Sequence, residues 1–299
     1  MAIKDLPKEE LVLQGNASCP GCPATVAFRI VLKALGKKTI VSVPACCSAV
    51  IQSLYPKTSF AIPIMNIAFE AAAASASGIA AALKAQGKED ILSIVWAGDG
   101  GSYDIGIQAM SGAFERGSNI LYICYNNQMY SNTGIQRSGA TPYGAWTTTT
   151  WTGKKERQKN LAEIVMAHHI PYIATATIAY PEDLYKKVLK AKEIKGPRYL
   201  EILCPCPPGW RFDMSKTIEI ARLAVETGSW LLYEFENEKL SFNGVTKAIL
   251  EGKRKEKPIE DWLRMQGRFK HLTNEDIEEI KKELQERWEF YKKLAQVMK

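Results

Sequence analysis

The apolar positions of this chain change period block by block, and the blocks alternate between helix and strand. Residues 24–35 carry the spacing of an amphipathic helix, and 39–43 form a short apolar strand that runs into a turn at 44–47. A long alanine-rich block, 65–86, closes at Gly87 and predicts a single helix. Residues 91–97 (ILSIVWA) and 119–125 (NILYICY) are unbroken apolar runs of strand length, as expected where both faces of a parallel sheet are covered. Between them a glycine-rich turn at 98–101 leads into a helical pattern over 104–116, ending at Gly117. Further on, 161–168 predicts a helix, 172–177 a strand, Pro181 the first residue of another helix, and 198–203 a strand. This succession predicts a doubly wound α/β fold with a mostly parallel sheet.

Two segments break the rhythm. Residues 126–159 are rich in Asn, Thr, Gly and Ser and too long for a simple connection, and loops of that length usually serve a function. After Pro207-Pro208-Gly209 the pattern changes again. There 217–226 reads as helix, 230–235 (WLLYEF) as strand and 258–298 as a lysine- and glutamate-rich helix. We expect an α/β domain over 1–210 and a C-terminal extension over 211–299, packed on that domain or on a partner.

Composition narrows the classes. With 299 residues, 46% hydrophobic and 24% charged, the chain can bury the core of one large domain or two ordinary ones. The net charge of +7 is scattered among acids rather than gathered into a stripe, which argues against nucleic-acid binding. The apolar stretch 67–83 is interrupted by Glu70 and is mostly alanine, too short and too weak to span a bilayer. The amino terminus, MAIKDLPKEE, lacks the apolar segment of a secretion signal, so a cytoplasmic protein without a membrane segment is expected.

The first candidate chemistry lies in 98–127. The run 91–97 delivers Gly98-Asp99-Gly100-Gly101 to the carboxyl end of a parallel strand, where open α/β sheets bind ligands. Glycines let the backbone approach phosphate oxygens, and a following helix N-terminus offers N–H groups. Asp99 supplies a hard carboxylate, and Asn126-Asn127 ends the next apolar run, so an amide oxygen can reach the same ion. One carboxylate and one amide beside a diphosphate suit Mg²⁺. This GDG…NN arrangement resembles the thiamine-diphosphate motif, in which the carbonyl two residues beyond the Asn, here Met129, also binds the metal.

The second lies in the seven cysteines, at 19, 22, 46, 47, 124, 204 and 206. Cys124 falls in an apolar run and is expected in the core. The other six form three tight groups at element ends, where they could converge. Four thiolates would suit either Zn²⁺ or a [4Fe–4S] cluster, and a fourth ligand so far along the chain favours a cluster. A thioredoxin-like dithiol at Cys19 and Cys22 does not fit the layout of the rest of the chain.

Together with these motifs, the segment Tyr130-Ser131-Asn132-Thr133-Gly134-Ile135-Gln136-Arg137-Ser138-Gly139-Ala140-Thr141-Pro142 resembles the β subunit of 2-oxoacid:ferredoxin oxidoreductases, and looks closest to the pyruvate type. The match runs from about residue 15 to about 230. The resemblance implies a thiamine-diphosphate enzyme that decarboxylates a 2-oxoacid, passes the acyl group to coenzyme A and sends electrons through one [4Fe–4S] cluster to ferredoxin. It places the cluster on Cys19, Cys22, Cys47 and Cys206, and Mg²⁺ on Asp99, Asn127 and the Met129 carbonyl. Gly98, Gly100, Gly101, Tyr130 and Thr133 would line the cofactor, with Asn132 beside its reacting end. The chain departs from the family pattern at Cys46-Cys47, where Gly-Cys is usual, at the extra Cys204, and at Gln128, where an acid is common.

The resemblance also implies partner chains (α, γ and δ) that supply further clusters and the glutamate activating the aminopyrimidine. Glu70 is the local alternative for that glutamate, or else a packing residue. Val50 is placed near the substrate pocket, and Trp146 and Trp151 over the cofactor or a partner. His168 and His169 are expected to be structural, and the C-terminal helix a solvated or subunit-contacting face. Two competing functions are a non-redox thiamine enzyme, which has no use for clustered cysteines, and a zinc-stabilised assembly subunit. Among substrates, branched 2-oxoacids, 2-oxoglutarate and oxalate share the machinery with pyruvate.

Overall fold

A computed structural model describes residues 5–54 and 56–298; the first four residues of the charged amino terminus lie outside the described residues. Pro23 opens α1 (Pro23–Leu35) at a position where a missing N–H breaks no bond, and β1 (Thr39–Pro44) and the short α2 (Cys47–Ile51) follow. Next come β2 (Ile64–Ile67), α3 (Ala72–Ala85), β3 (Leu92–Gly98), α4 (Ile107–Glu115) and β4 (Ile120–Asn126). The alternation continues through α5 (Leu161–Met166), β5 (Tyr172–Thr177), α6 (Pro181–Glu193) and β6 (Arg198–Leu203). The remainder holds α7 (Pro207–Trp210), α8 (Thr217–Glu226), β7 (Tyr233–Glu236), β8 (Lys239–Phe242), α9 (Gly244–Leu250), α10 (Ile259–Arg264) and α11 (Asn274–Val297).

All eight strands join one sheet in the order β2-β1-β3-β4-β6-β5-β7-β8. The first six are parallel, and the β7–β8 hairpin adds two antiparallel strands beyond β5. One face is covered by α1 and α6 and the other by α3, α4, α5 and α11, each with its own apolar core. The expected α/β class with a helical C-terminal extension is therefore the observed one. Residues 211–299 extend the sheet as well as covering it. No helix among the described residues is long and apolar enough to cross a membrane.

Parallel neighbours bring their carboxyl ends to one edge. Gly98 pairs with Tyr125, and Asn126 with Leu203, so the loops after β3, β4 and β6 emerge side by side, next to the loop after β1. That alignment is what assembles the site.

Four expected elements differ. The block 65–86 is not one helix: Ile64–Ile67 pairs in parallel with β1 as an edge strand, and the helix begins only at Ala72. Alanine-rich propensity reads as helix throughout, but sheet pairing outweighs it at the start. The pattern over 104–116 splits into a π-helical turn, Gly100–Ile105, and α4, with Asp104 at a non-helical φ of -110° and ψ of -105°. WLLYEF becomes strand only from Tyr233. The helix over 258–298 is broken by the 3-10 turn Gly267–Phe269 and restarts at Thr273, whose side chain and that of Asp276 form a reciprocal cap.

Candidate functional site

Asp99 follows the last residue of β3 and is fully buried. Its Oδ1 accepts from the Asn127 backbone N–H at 3.1 Å and its Oδ2 from Ser138 Oγ at 2.5 Å, which fixes the carboxyl plane. Burial pushes its pKa up to about 7, because the charged carboxylate is cut off from solvent there. One arm of the Asn127 amide stands 2.7 Å from the Met129 carbonyl oxygen and 3.0 Å from Asp99 Oδ1 and Ser131 Oγ. With nitrogen on that side the amide donates to them; turned over, it places its oxygen beside a carboxylate and a carbonyl oxygen. Neighbouring oxygens about 3 Å apart match the edge of an octahedron around Mg²⁺, whose ligands lie ~2.1 Å away. The donor set therefore fits a hard divalent cation.

The loop after β4 owes its shape to Asn126 and Gln128. Asn126 Oδ1 accepts from the Gln128 N–H at 2.9 Å, and Gln128 takes a positive φ of 64° that reverses the chain before Met129. Tyr130 then folds back over Gly100: its hydroxyl donates to the Gly100 carbonyl at 2.9 Å and also contacts Asp104 Oδ2 at 3.0 Å. A Cβ on Gly100 would lie 2.4 Å from the Tyr130 ring, so glycine is required there by the close approach. A cleft of about 60 Å³ opens beside this turn, lined by Cys46, Cys47, Phe69, Gly98, Gly100, Gly101, Asn127, Met129, Tyr130, Asn132 and Thr133 among others. Asn132 and Thr133 are exposed at its mouth, and Thr133 Oγ1 donates to Gln136 Oε1 at 2.6 Å.

The cysteine groups converge on the neighbouring side. Cys47 feels the negative potential of Cys206, Cys46, Cys22 and Cys19, which adds to burial in pushing its thiol well up. Cys206 is pushed up to about 11, first by burial and then by Cys22 and Cys19. Each group sits at a helix start: Cys22, Cys46 and Cys206 immediately precede α1, α2 and α7, with Cys47 the first residue of α2, and none of the three makes a side-chain cap. Helix N-termini favour thiolate over thiol. Among the described residues no three His, Cys, Asp or Glu stand close enough to share a single metal ion. Thiols brought together from three chain segments are the donor type of an iron–sulfur cluster, whose ligands sit on different irons.

Cys46 and Cys47 both line the cleft but have different neighbours. Beyond burial, Cys46 is influenced by the Tyr125 hydroxyl and the backbone at Gly98, whereas Cys47 is influenced by the other cysteines. Cys204 is fully buried and also feels Cys22 and Cys206. Cys124 lies in the core of the α3–α4 face.

The two loops touch. A Cβ on Gly209 would lie 2.2 Å from Met129 Sδ and 3.3 Å from Cys206 Sγ. Gly209→Ala should therefore displace the buried Met129 and its carbonyl together with Cys206, at an overpacking cost of about 1–3 kcal/mol. The expected result is weaker retention of both cofactors with a folded chain by circular dichroism. Undiminished iron and thiamine content in that variant would show that the contact does not hold the loops.

Several residues that hold the site together are not among those expected from the sequence. Glu201, fully buried in β6, accepts from the Tyr103 hydroxyl, from Asn126 Nδ2 at 2.6 Å and from the Tyr199 hydroxyl at 3.1 Å, tying the π-helical turn to the end of β4. An acid inside the apolar run RYLEIL was a visible clue. Trp210 Nε1 donates to the Asn127 carbonyl at 2.8 Å, and Arg268 Nη2 to Gln128 Oε1 at 2.7 Å. Lys154, buried with its pKa lowered to about 8 by desolvation, donates to the Thr141 carbonyl at 2.6 Å and pins the long loop.

Other candidates lie elsewhere. Glu70 is exposed just before α3, and Val50 is exposed on α2. His168 Nε2 meets Ser111 Oγ at 2.8 Å and His169 Nδ1 meets Glu238 at 2.7 Å, pairings that bind elements rather than substrate. Trp146 and Trp151 pack edge to face at 5.8 Å, with the Arg211 guanidinium 3.4 Å over the Trp146 ring.

Known proteins resemble this chain in sequence and in fold. The family model described as thiamine pyrophosphate enzyme, C-terminal TPP binding domain, matches residues 45–202. Over 302 residues the chain is 50% identical to ketoisovalerate oxidoreductase subunit VorB of Pyrococcus abyssi, covering 98% of this chain and 96% of that protein. It is also 50% identical over 277 residues to pyruvate synthase subunit PorB of Methanothermobacter thermautotrophicus, covering 90% of this chain and 93% of that one. The likeness to the pyruvate type is thus equalled by a likeness to the ketoisovalerate type. A 2-oxoglutarate:ferredoxin oxidoreductase structure from Magnetococcus marinus shares the fold, with a TM-score of 0.57 at 23% identity over 74% of this chain and 80% of that chain. With half its residues in common with such subunits and a thiamine-diphosphate domain at its centre, the chain belongs to the β subunits of the thiamine-diphosphate-dependent 2-oxoacid:ferredoxin oxidoreductases.

Proposed function

We propose that this subunit carries out the oxidative decarboxylation of a short aliphatic 2-oxoacid to its acyl-coenzyme A and CO₂, with ferredoxin as electron acceptor. The observation that carries it is the packing of the Cys206 loop on the loop of Asn127 and Met129, where Gly209 lies against the Met129 side chain and Trp210 Nε1 donates to the Asn127 carbonyl, so that the Asp99–Asn127–Met129 oxygens and the cysteines sit on neighbouring loops. Thiamine diphosphate supplies the electron sink for decarboxylation, and an adjacent [4Fe–4S] cluster takes electrons singly. Asp99, Asn127 and the Met129 carbonyl would hold Mg²⁺, the Gly98–Gly101 turn and Tyr130 would seat the diphosphate, and Asn132 would face the reacting end. Cys19, Cys22, Cys47 and Cys206 would hold the cluster. Residues 1–210 carry these sites and 211–299 act as an extension. A cytoplasmic enzyme fits this reading.

The cleft of about 60 Å³ is far below the ~300–1,000 Å³ of complete cofactor sites, which supports a wall completed by partner chains, α, γ and δ in this reading. Those partners would also supply the activating glutamate and the further clusters to ferredoxin, Glu70 being exposed.

Pyruvate is the first reading of the substrate. 2-Oxoisovalerate is the second, favoured by the longer alignment with the ketoisovalerate relative, 98% of the chain against 90%. Rates for pyruvate, 2-oxoisovalerate, 2-oxoglutarate and oxalate with the anaerobically purified complex decide between them. The highest kcat/KM is expected for pyruvate; a preference for the branched acid would establish the second reading. Colourless, iron-free protein with stoichiometric zinc would refute the redox function altogether.

A further inference from the structure

Arg268 lies on the 3-10 turn between α10 and α11, within the extension, yet its side chain is 0% exposed. Its guanidinium stacks on Trp210, with Cζ 3.7 Å from the ring, and lies 4.8 Å from the Phe269 ring. Nε donates to Gln266 Oε1 at 2.9 Å and Nη2 to Gln128 Oε1 at 2.7 Å. Both acceptors are neutral amides, and Nη1 is buried with no partner among the described residues. A buried guanidinium stays protonated and is unfavourable unless something negative stands near it.

The negative groups near it belong to the site. Burial pushes the Arg268 pKa well below its ordinary value, and Cys206 and Asp99 offset part of that by favouring the charged form. The residues it rests on belong to the same two loops. Trp210 ends the helical turn that Cys206 precedes and donates to the Asn127 carbonyl, while Gln128 lies between Asn127 and Met129. The stack thus holds a positive charge against the cysteine loop and couples that loop to the metal loop.

We propose that Arg268 is the fixed counter-charge of the cysteine site, a buried cation that stabilises the reduced and more negative state of the cluster. This rests on the reading of Cys19, Cys22, Cys47 and Cys206 as [4Fe–4S] ligands. On reduction the cluster gains one electron and its net charge falls by one. No bond forms or breaks, and no proton is needed, because Arg268 is already cationic. Arg268 is accordingly a positioning and tuning residue that does not touch substrate.

The test is a redox titration of the anaerobic holo-complex, with dithionite as electron donor, following the signal that Cys206→Ser removes. In Arg268→Met the reduced-to-oxidised ratio at a fixed potential should fall roughly tenfold, as expected for losing one nearby charge. That is about 59 mV for a one-electron couple. Iron and sulfide content should be unchanged, and Arg268→Lys should restore most of the potential. An iron-replete methionine variant with the wild-type potential overturns the inference. If the methionine variant loses its iron, retention in the lysine variant supports a charge role, and loss in both shows a packing role and overturns it. Iron-free wild-type protein would instead overturn the cluster reading itself, and the inference with it.

Discussion

Asp99→Ala should abolish retention of thiamine diphosphate and Mg²⁺ while leaving the cluster absorbance largely intact. Asp99 is the carboxylate among the three proposed oxygen donors, and Asn127 and Met129 would offer only neutral oxygens. Removing a charged metal ligand should cost at least the ~100-fold that outer-sphere changes already cause. The cysteine loops do not depend on this side chain, so iron content should persist; loss of both cofactors would point to unfolding instead.

The same residue sets a pH dependence. Its pKa near 7 lies above the ordinary value of 3.8, so the folded chain without metal holds a proton that the unfolded chain releases. The stability this gives is full below pH 3.8 and is lost as the pH rises toward 7. Metal binding must expel that proton. Mg²⁺ affinity, measured by calorimetry with cofactor in excess, should rise about tenfold per pH unit below 7 and level off above it. A flat profile from pH 5.5 to 8 would mean that Asp99 is ionised before the metal arrives.

Cys206→Ser should remove the cluster, and Cys204→Ser should leave it. Cys204 follows β6 directly, is fully buried and has its N–H tied to the Asn126 carbonyl at 2.7 Å. Cys206 precedes α7 and is less enclosed, in the same field as Cys19, Cys22 and Cys47. A thiolate ligand is held by a metal–sulfur bond that serine replaces poorly, so iron per chain should drop severalfold. Cys47→Ser should behave as Cys206→Ser, and Cys46→Ser should retain iron. Equal iron loss in the Cys46 and Cys47 variants would show that their different neighbours do not separate their roles.

Where the sequence was readable, the reasons are local. Continuous apolar runs at 91–97 and 119–125 fit only strands buried on both faces, and both form central strands. Gly98–Gly101 after one and Asn126–Asn127 after the other are then placed by geometry, because parallel neighbours end on one edge. Where it misled, a non-local partner decided the outcome. Ile64–Ile67 is strand because β1 offers it hydrogen bonds, although alanines just beyond favour helix. The break before α11 carried its own signal, the Thr273–Asp276 capping pair, inside a charge-rich stretch that otherwise reads as continuous helix.

The sequence by itself determined the fold class, the motif at the strand ends and the grouping of the cysteines, since each depends on residue type at short range. The tertiary structure alone decided that the Cys206 loop packs on the loop of Asn127 and Met129, that Cys46 and Cys47 have different neighbours, and that Arg268 is buried against Trp210. Those facts depend on which remote segments share a wall. In the sequence, an arginine in a charged tail looks like any solvated arginine. Only packing shows that its charge has been taken out of water and set beside the cysteines.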